Sequence, residues 1–207
     1  MIVQNAVDNI VTITLNRPEK ANALTESMLE SLVAALDGVA DSPACAVILT
    51  GAGRVFSAGA DLDEARAGLV ALPIWDRLAA RLATMPCLTI AAINGAMAGG
   101  AFGLALGCDI RICVPEARFF YPVMRLGIQP PQADPRRLAA LIGVSRAKML
   151  LMAGAVLDAA EARDWGLVDR IIPAPRLYAA AAELAADAQG ATPEHVMMLK
   201  AMLGAAA

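Results

Sequence analysis

Apolar and polar residues alternate on both sides of Asp8-Asn9, a period of two that predicts a β-hairpin over Ile2 to Asn16, ended by Arg17-Pro18. The period then changes. Met28, Leu29, Leu32, Val33 and Leu36 recur at helical spacing, Thr25 stands before them as an N-cap, and Pro43 closes the unit. Unbroken apolar runs at Cys45 to Thr50 and Leu88 to Ile93 predict buried strands, with a further strand at Asp109 to Val114 and a short helix opened by the glycines before it. Strands alternating with helices predict an α/β fold around a buried, largely parallel sheet. Beyond Pro135 the pattern becomes short helices punctuated by Gly143, Gly154 and Gly166, then a brief strand at Val168 to Ile172. The Ala-rich tail from Leu177 to Ala207 reads as a packing or oligomer-contact helix. No repeat or linker divides the chain, so residues 1–175 are expected as one core and 176–207 as a helical tail without a domain of its own.

Composition narrows this picture. A chain of 207 residues suits one domain, and much of its 58% hydrophobic content is Ala, which packs helices closely. The net charge of −3 has no basic cluster behind it, since Arg17, Lys20, Arg54 and Arg111 are scattered, which argues against a nucleic-acid partner. Cys45, Cys87, Cys108 and Cys113 sit in apolar stretches without metal-ligand spacing and read as buried, reduced packing residues. The N-terminus has no basic segment leading into an apolar run, so a signal peptide is not supported and a cytoplasmic location is expected. Leu82 to Cys108 carries no charge and repeats GxxxG through Gly95, Gly99, Gly103 and Gly107, a transmembrane pattern. Pro86, Asn94, the β-branched run and the scarcity of large apolar residues argue instead for a strand and a short helix.

Two loops carry the candidate chemistry: TGAGRVFSAGADLDE (Thr50 to Glu64) and INGAMAGGAFG (Ile93 to Gly103). Each sets small residues after a strand and before a helix, where peptide N–H groups are unpaired and a ligand oxygen can come close. If they meet in space, two such loops make an oxyanion hole for the charge developing on a thioester carbonyl. Close helix–strand packing explains either loop alone, and neither contains a phosphate-binding GxxxxGK[ST] or GxGxxG. Asp61, Asp63 and Glu64 read first as caps and first-turn charges.

NRPEKANAL (Asn16 to Leu24), VILTGAGRVFSAGADL (Val47 to Leu62), INGAMAGGAFGLALGCDIRI (Ile93 to Ile112) and AAEARDWGLVDRI (Ala159 to Ile171) occur in the order and spacing of the enoyl-CoA hydratase/isomerase, or crotonase, superfamily, which the chain resembles from Ile10 to about Leu203. The resemblance implies a crotonase-like (ClpP/crotonase) ββα spiral core, a coenzyme A thioester as substrate, a role in fatty-acid metabolism, no metal or redox cofactor, and a homotrimer or dimer of trimers. It places the oxyanion hole on the N–H groups of Ala60 and Gly100. It assigns contacts with coenzyme A to Lys20, Ala21, Ala23, Ala58, Ala60, Asp61 and Leu62.

The pattern departs where family hydratases carry two glutamates, for Gly103 and Val123 stand at those positions, and QPPQADPRRL replaces a Gly-rich turn. Simple hydration is therefore not expected. Asp134 and Tyr121 lie nearest the lost positions and are the substitute acid/base candidates, each with a surface or capping alternative. His195, the single histidine, lies outside every motif, which leaves a nucleophilic triad without a base. Family members also continue with helices that build the trimer past the segment resembling PEHVMMLK (Pro193 to Lys200), so trimer formation is less firmly implied than the core. Three functions remain open: an enzyme of the lyase, isomerase or thioester-hydrolase type working through a thioester enolate, an acyl-CoA-binding protein that has lost its chemistry, and a structural or membrane-associated protein using the GxxxG segment.

Overall fold

The computed structural model describes residues 1–203; the last four positions of the expected 176–207 tail lie outside them. The chain begins with β1 (Ile2–Val7) and β2 (Ile10–Leu15), an antiparallel hairpin whose turn residues Asp8 and Asn9 take φ of 49° and 61°. Asp and Asn tolerate that left-handed geometry better than other side chains, and its twist matches paired strands. Helix α1 (Glu26–Ala40) follows as predicted: the Thr25 hydroxyl accepts a hydrogen bond from Met28 N at 3.2 Å, and the predicted apolar face is buried.

Next the chain winds as a spiral. Each turn gives one strand to each of two sheets and then a helical segment. The first turn is β3 (Ala46–Gly51), β4 (Val55–Ser57), α2 (Leu62–Arg66) and α3 (Ile74–Ala83); the second is β5 (Leu88–Ile93), β6 (Ala96–Ala98) and α4 (Ala101–Gly107). The third is β7 (Ile110–Cys113), β8 (Arg118–Phe120), α5 (Val123–Leu126), α6 (Ala133–Ile142) and α7 (Val144–Leu151). The chain continues through β9 (Val156–Asp158), α8 (Ala159–Trp165), β10 (Arg170–Ile171), α9 (Leu177–Leu184) and α10 (Pro193–Met202). The larger sheet runs β1-β2-β3-β5-β7-β10 and is parallel from β2 onward; the smaller runs β4-β6-β8-β9. This is the ββα spiral of a crotonase-like α/β fold.

Three expectations change. The single sheet becomes two, because the strands of the second have only three residues each and are too short to display a period. Cys45 is half-buried rather than buried; burial pushes the Cys108 and Cys113 thiols up to about 12, so these two are packing groups and not nucleophiles. Pro135 does not precede its helix but lies in the first turn of α6, where its missing N–H costs nothing. The turn is capped across the core, with Asp76 of α3 accepting from Ala133 N at 3.0 Å and Gln132 N at 3.4 Å. The charge-free GxxxG segment is broken into the end of α3, two strands and α4, and no helix among the described residues is long and apolar enough to cross a membrane.

Candidate active site

The two small-residue loops meet. Gly59 has φ of +87°, and a Cβ there would lie 2.6 Å from Ala98 O and 3.0 Å from Gly100 N, so the loop after β4 presses its backbone against the loop after β6. Only glycine permits both the geometry and the approach. Ala60 comes next. Leu24 N donates to Gly59 O at 2.7 Å and Asp61 N to Leu24 O at 2.8 Å, and this pairing turns the peptide N–H of Ala60 away from Leu24. Gly100 caps α4 at its N-terminus. Among the described residues neither Ala60 N nor Gly100 N donates to a backbone or side-chain acceptor, and both residues line one cavity of about 80 Å3.

Elsewhere the cavity is largely apolar. Trp75 of α3 lies against Gly100, where a Cβ would stand 2.7 Å from the indole, and its Nε1 donates to Leu69 O at 2.9 Å. Pro130 and Pro131 bring the QPPQADP segment into the wall, facing Ala58, Leu62 and Val123. Tyr121, which follows β8, also lines the cavity and is 2% exposed.

Behind Tyr121 lies Asp134, 1% exposed, its Oδ2 accepting the Tyr121 hydroxyl at 2.7 Å and its Oδ1 without a hydrogen-bond partner. Space for it comes from α4. A Cβ on Gly103 would sit 2.9 Å from Oδ1 of Asp134, and the neighbouring Phe102 stacks on Tyr121 at 5.1 Å between ring centroids. Burial pushes the Asp134 carboxyl up to about 7, with Asp76 acting in the same direction and the Tyr121 hydrogen bond and Arg137 opposing. Burial, then Asp134, holds the Tyr121 phenol well above its ordinary range. The structure thus joins the two substitute candidates into one pair and fills the space beside Gly103 with a carboxylate from another helix.

The residues expected to contact coenzyme A divide. Ala58, Ala60 and Leu62 line the cavity, while Lys20, Ala21, Ala23 and Asp61 do not. The Asp61 carboxylate takes Arg17 Nη1 at 2.6 Å and caps α2, and that Arg17 hydrogen bond holds it below the usual carboxylate range. The peptides of Ala21, Ala23 and Ala58 are engaged too, with Ala58 N donating to Ala21 O at 2.9 Å, Ala23 N to Lys20 O at 3.0 Å, and Ala23 O accepting from Arg17. Glu64 is a cap as read, but of a different helix, accepting from Glu26 N of α1 at 2.7 Å. His195 is exposed on α10 and does not line the cavity.

Sequence reasoning missed three residues of this region. Trp75 and Asp76 act from α3, which lies between the two loops in sequence, and no local pattern marks them. Buried Asn22 ties the segment after β2 to the turn between β3 and β4, its Nδ2 donating to Ala52 O at 2.9 Å and Val55 O at 2.7 Å while its Oδ1 accepts from Arg17 N at 2.9 Å.

Known proteins resemble this chain in sequence and fold. The family pattern described as enoyl-CoA hydratase/isomerase matches residues 5–207. The chain is 37% identical over 173 residues to the "Probable enoyl-CoA hydratase echA8" of Mycobacterium tuberculosis, covering 80% of this chain and 66% of that protein, a little under two thirds of its length. It is 34% identical to 4-chlorobenzoyl coenzyme A dehalogenase-1 of an Arthrobacter species, covering 93% of this chain and 73% of the relative. In three dimensions it superposes on an enoyl-CoA hydratase crystal structure from Bacillus anthracis with a TM-score of 0.88 and 35% identity, over 98% of this chain and 81% of that one. On matched sequence and superposed fold alike, the chain belongs to the enoyl-CoA hydratase/isomerase family.

Proposed function

We propose that the chain is an enzyme that binds an acyl-CoA thioester with its carbonyl oxygen between Ala60 N and Gly100 N, and transfers protons on the enolate formed there, in the manner of an isomerase rather than of a standard hydratase. The observation that carries this reading is the convergence on one cavity of two peptide N–H groups without partners among the described residues. Donors fixed before the reaction stabilise developing charge without reorganising, a contribution of about 3 kcal/mol for each donor. The apolar wall strengthens them by excluding water. Hydration also needs a positioned water and a second acid/base group. Gly103 and Val123 supply neither.

The test is a titration with crotonyl-CoA carrying 13C at the thioester carbonyl. Saturable heat with a downfield shift of that carbon supports the reading, and a bound ester whose carbonyl resonance does not move removes the oxyanion hole. Binding of crotonyl-, 3-butenoyl- and butyryl-CoA without product or proton exchange would favour the non-catalytic alternative.

A further inference from the structure

We infer that Tyr121 and Asp134 form the proton-transfer pair of this cavity, Tyr121 exchanging a proton with the carbon beside the thioester carbonyl and Asp134 holding or returning the phenol's own proton. The inference rests on the acyl-CoA reading above and deepens it by assigning the acid/base group.

Position singles out Tyr121. It lines the cavity that Ala60 and Gly100 line, and its hydroxyl is the donor of a 2.7 Å bond that ends on a carboxylate buried from solvent. A tyrosine with only a packing role needs no carboxylate, and a buried carboxylate with one oxygen unpartnered is costly to fold. The Phe102 stack fixes the ring and Gly103 leaves room for the carboxylate.

The step balances within the pair and the substrate. A C–H bond on the α-carbon breaks, its electrons form the enolate double bond, and the carbonyl π pair moves onto the oxygen held by Ala60 and Gly100. The proton passes to the Tyr121 oxygen as the Tyr121 proton passes to Oδ2 of Asp134. Reversal at the same carbon exchanges hydrogen with solvent-derived protons, and reversal at the γ-carbon of a β,γ-enoyl ester moves the double bond. No water or other reactant is consumed. Tyr121 is the catalytic group and Asp134 the positioning residue that acts through it.

The groups facing Asp134 are Tyr121 from the segment after β8, Asp76 from α3 and Arg137 from α6, while α4 contributes no charge. Burial and Asp76 push its carboxyl up to about 7, so the base form grows in near neutral pH, where an ordinary carboxylate has long been ionised.

The experiment follows α-hydrogen exchange of butyryl-CoA in deuterium oxide by NMR, with calorimetry of the same ester in parallel. The full chain is expected to exchange at a rate that rises through about pH 7 and then levels, while Tyr121→Phe and Asp134→Asn bind within about twofold of the parent and exchange roughly 100-fold more slowly, the Asn variant without the pH-dependent rise. Parent-like exchange in both variants overturns the pair but leaves the acyl-CoA enzyme reading standing, whereas binding without exchange in the parent overturns the pair and leaves only acyl-CoA binding. Failure of any ester to bind overturns both. Should a variant misfold by circular dichroism, the parent's own profile decides, since a rate flat between about pH 5 and 9 excludes a base with the Asp134 carboxyl's range.

Discussion

Gly103 and Asp134 share one site: a Cβ on the glycine would stand 2.9 Å from Oδ1 of the aspartate. The resemblance led to a glutamate at position 103, and the fold places a carboxylate there from the far side, across from α4 rather than on it. Gly103→Glu is therefore expected to destabilise the protein by about 1–3 kcal/mol through overpacking and repulsion between carboxylates. Adding Asp134→Gly should recover most of the loss in a urea denaturation series. With Val123→Glu as a third change, hydration of crotonyl-CoA should rise, and no rise would mean that Pro130 and Pro131 shape the cavity against a bound water.

Stability should depend on pH through Asp134. Its folded value is raised from 3.8 to about 7, so between those limits the native state holds a proton that the unfolded state has released. Stability is then greatest below pH 4 on this account and falls as pH climbs to 7, by about 4 kcal/mol at 1.36 kcal/mol per pH unit. Asp134→Asn should flatten that slope and raise the urea midpoint at pH 8 relative to the parent.

Gly100→Ala is expected to weaken acyl-CoA binding roughly tenfold, because its Cβ meets the Trp75 ring and displaces the N–H that Gly100 presents. Trp75→Leu in the same chain should restore part of the affinity by making room. Calorimetry with crotonyl-CoA reads both. An unchanged Gly100→Ala affinity would mean that Gly100 N does not meet the ester.

Asn22→Ala removes a fully buried amide that joins the Arg17 segment to the turn between β3 and β4 and takes away the 2.9 Å and 2.7 Å donors of the Ala52 and Val55 carbonyls. A loss of about 3 kcal/mol is expected, read as a drop in the thermal midpoint. Since the loop carrying Ala60 hangs on this bridge, ester affinity should fall with it.

Much of the fold was legible in the chain. The Asp8-Asn9 turn, the Thr25 cap, the apolar stripe of α1 and the buried runs of β3 and β5 are local signals, each written within a few residues as a period, a cap or a left-handed turn. The positions of Ala60 and Gly100 after their strands were legible for the same reason. Strands of three residues carry no period, and so the second sheet was hidden.

What the sequence determined by itself was the alternation of strands and helices, the family through its motifs, and the two small-residue loops. What only the tertiary structure decided was which groups face each other. Tyr121 and Asp134 are 13 residues apart and could be read singly as surface or capping residues, and nothing local announced that the side chain missing from Gly103 is the space that Asp134 fills. Trp75 and Asp76 reach the site from a helix between the two loops. The physical reason is range: caps, turns and periodicity act over one or two helical turns, whereas the burial that moves a carboxyl's proton affinity, and the exclusion of one Cβ by another side chain, arise only when distant segments pack.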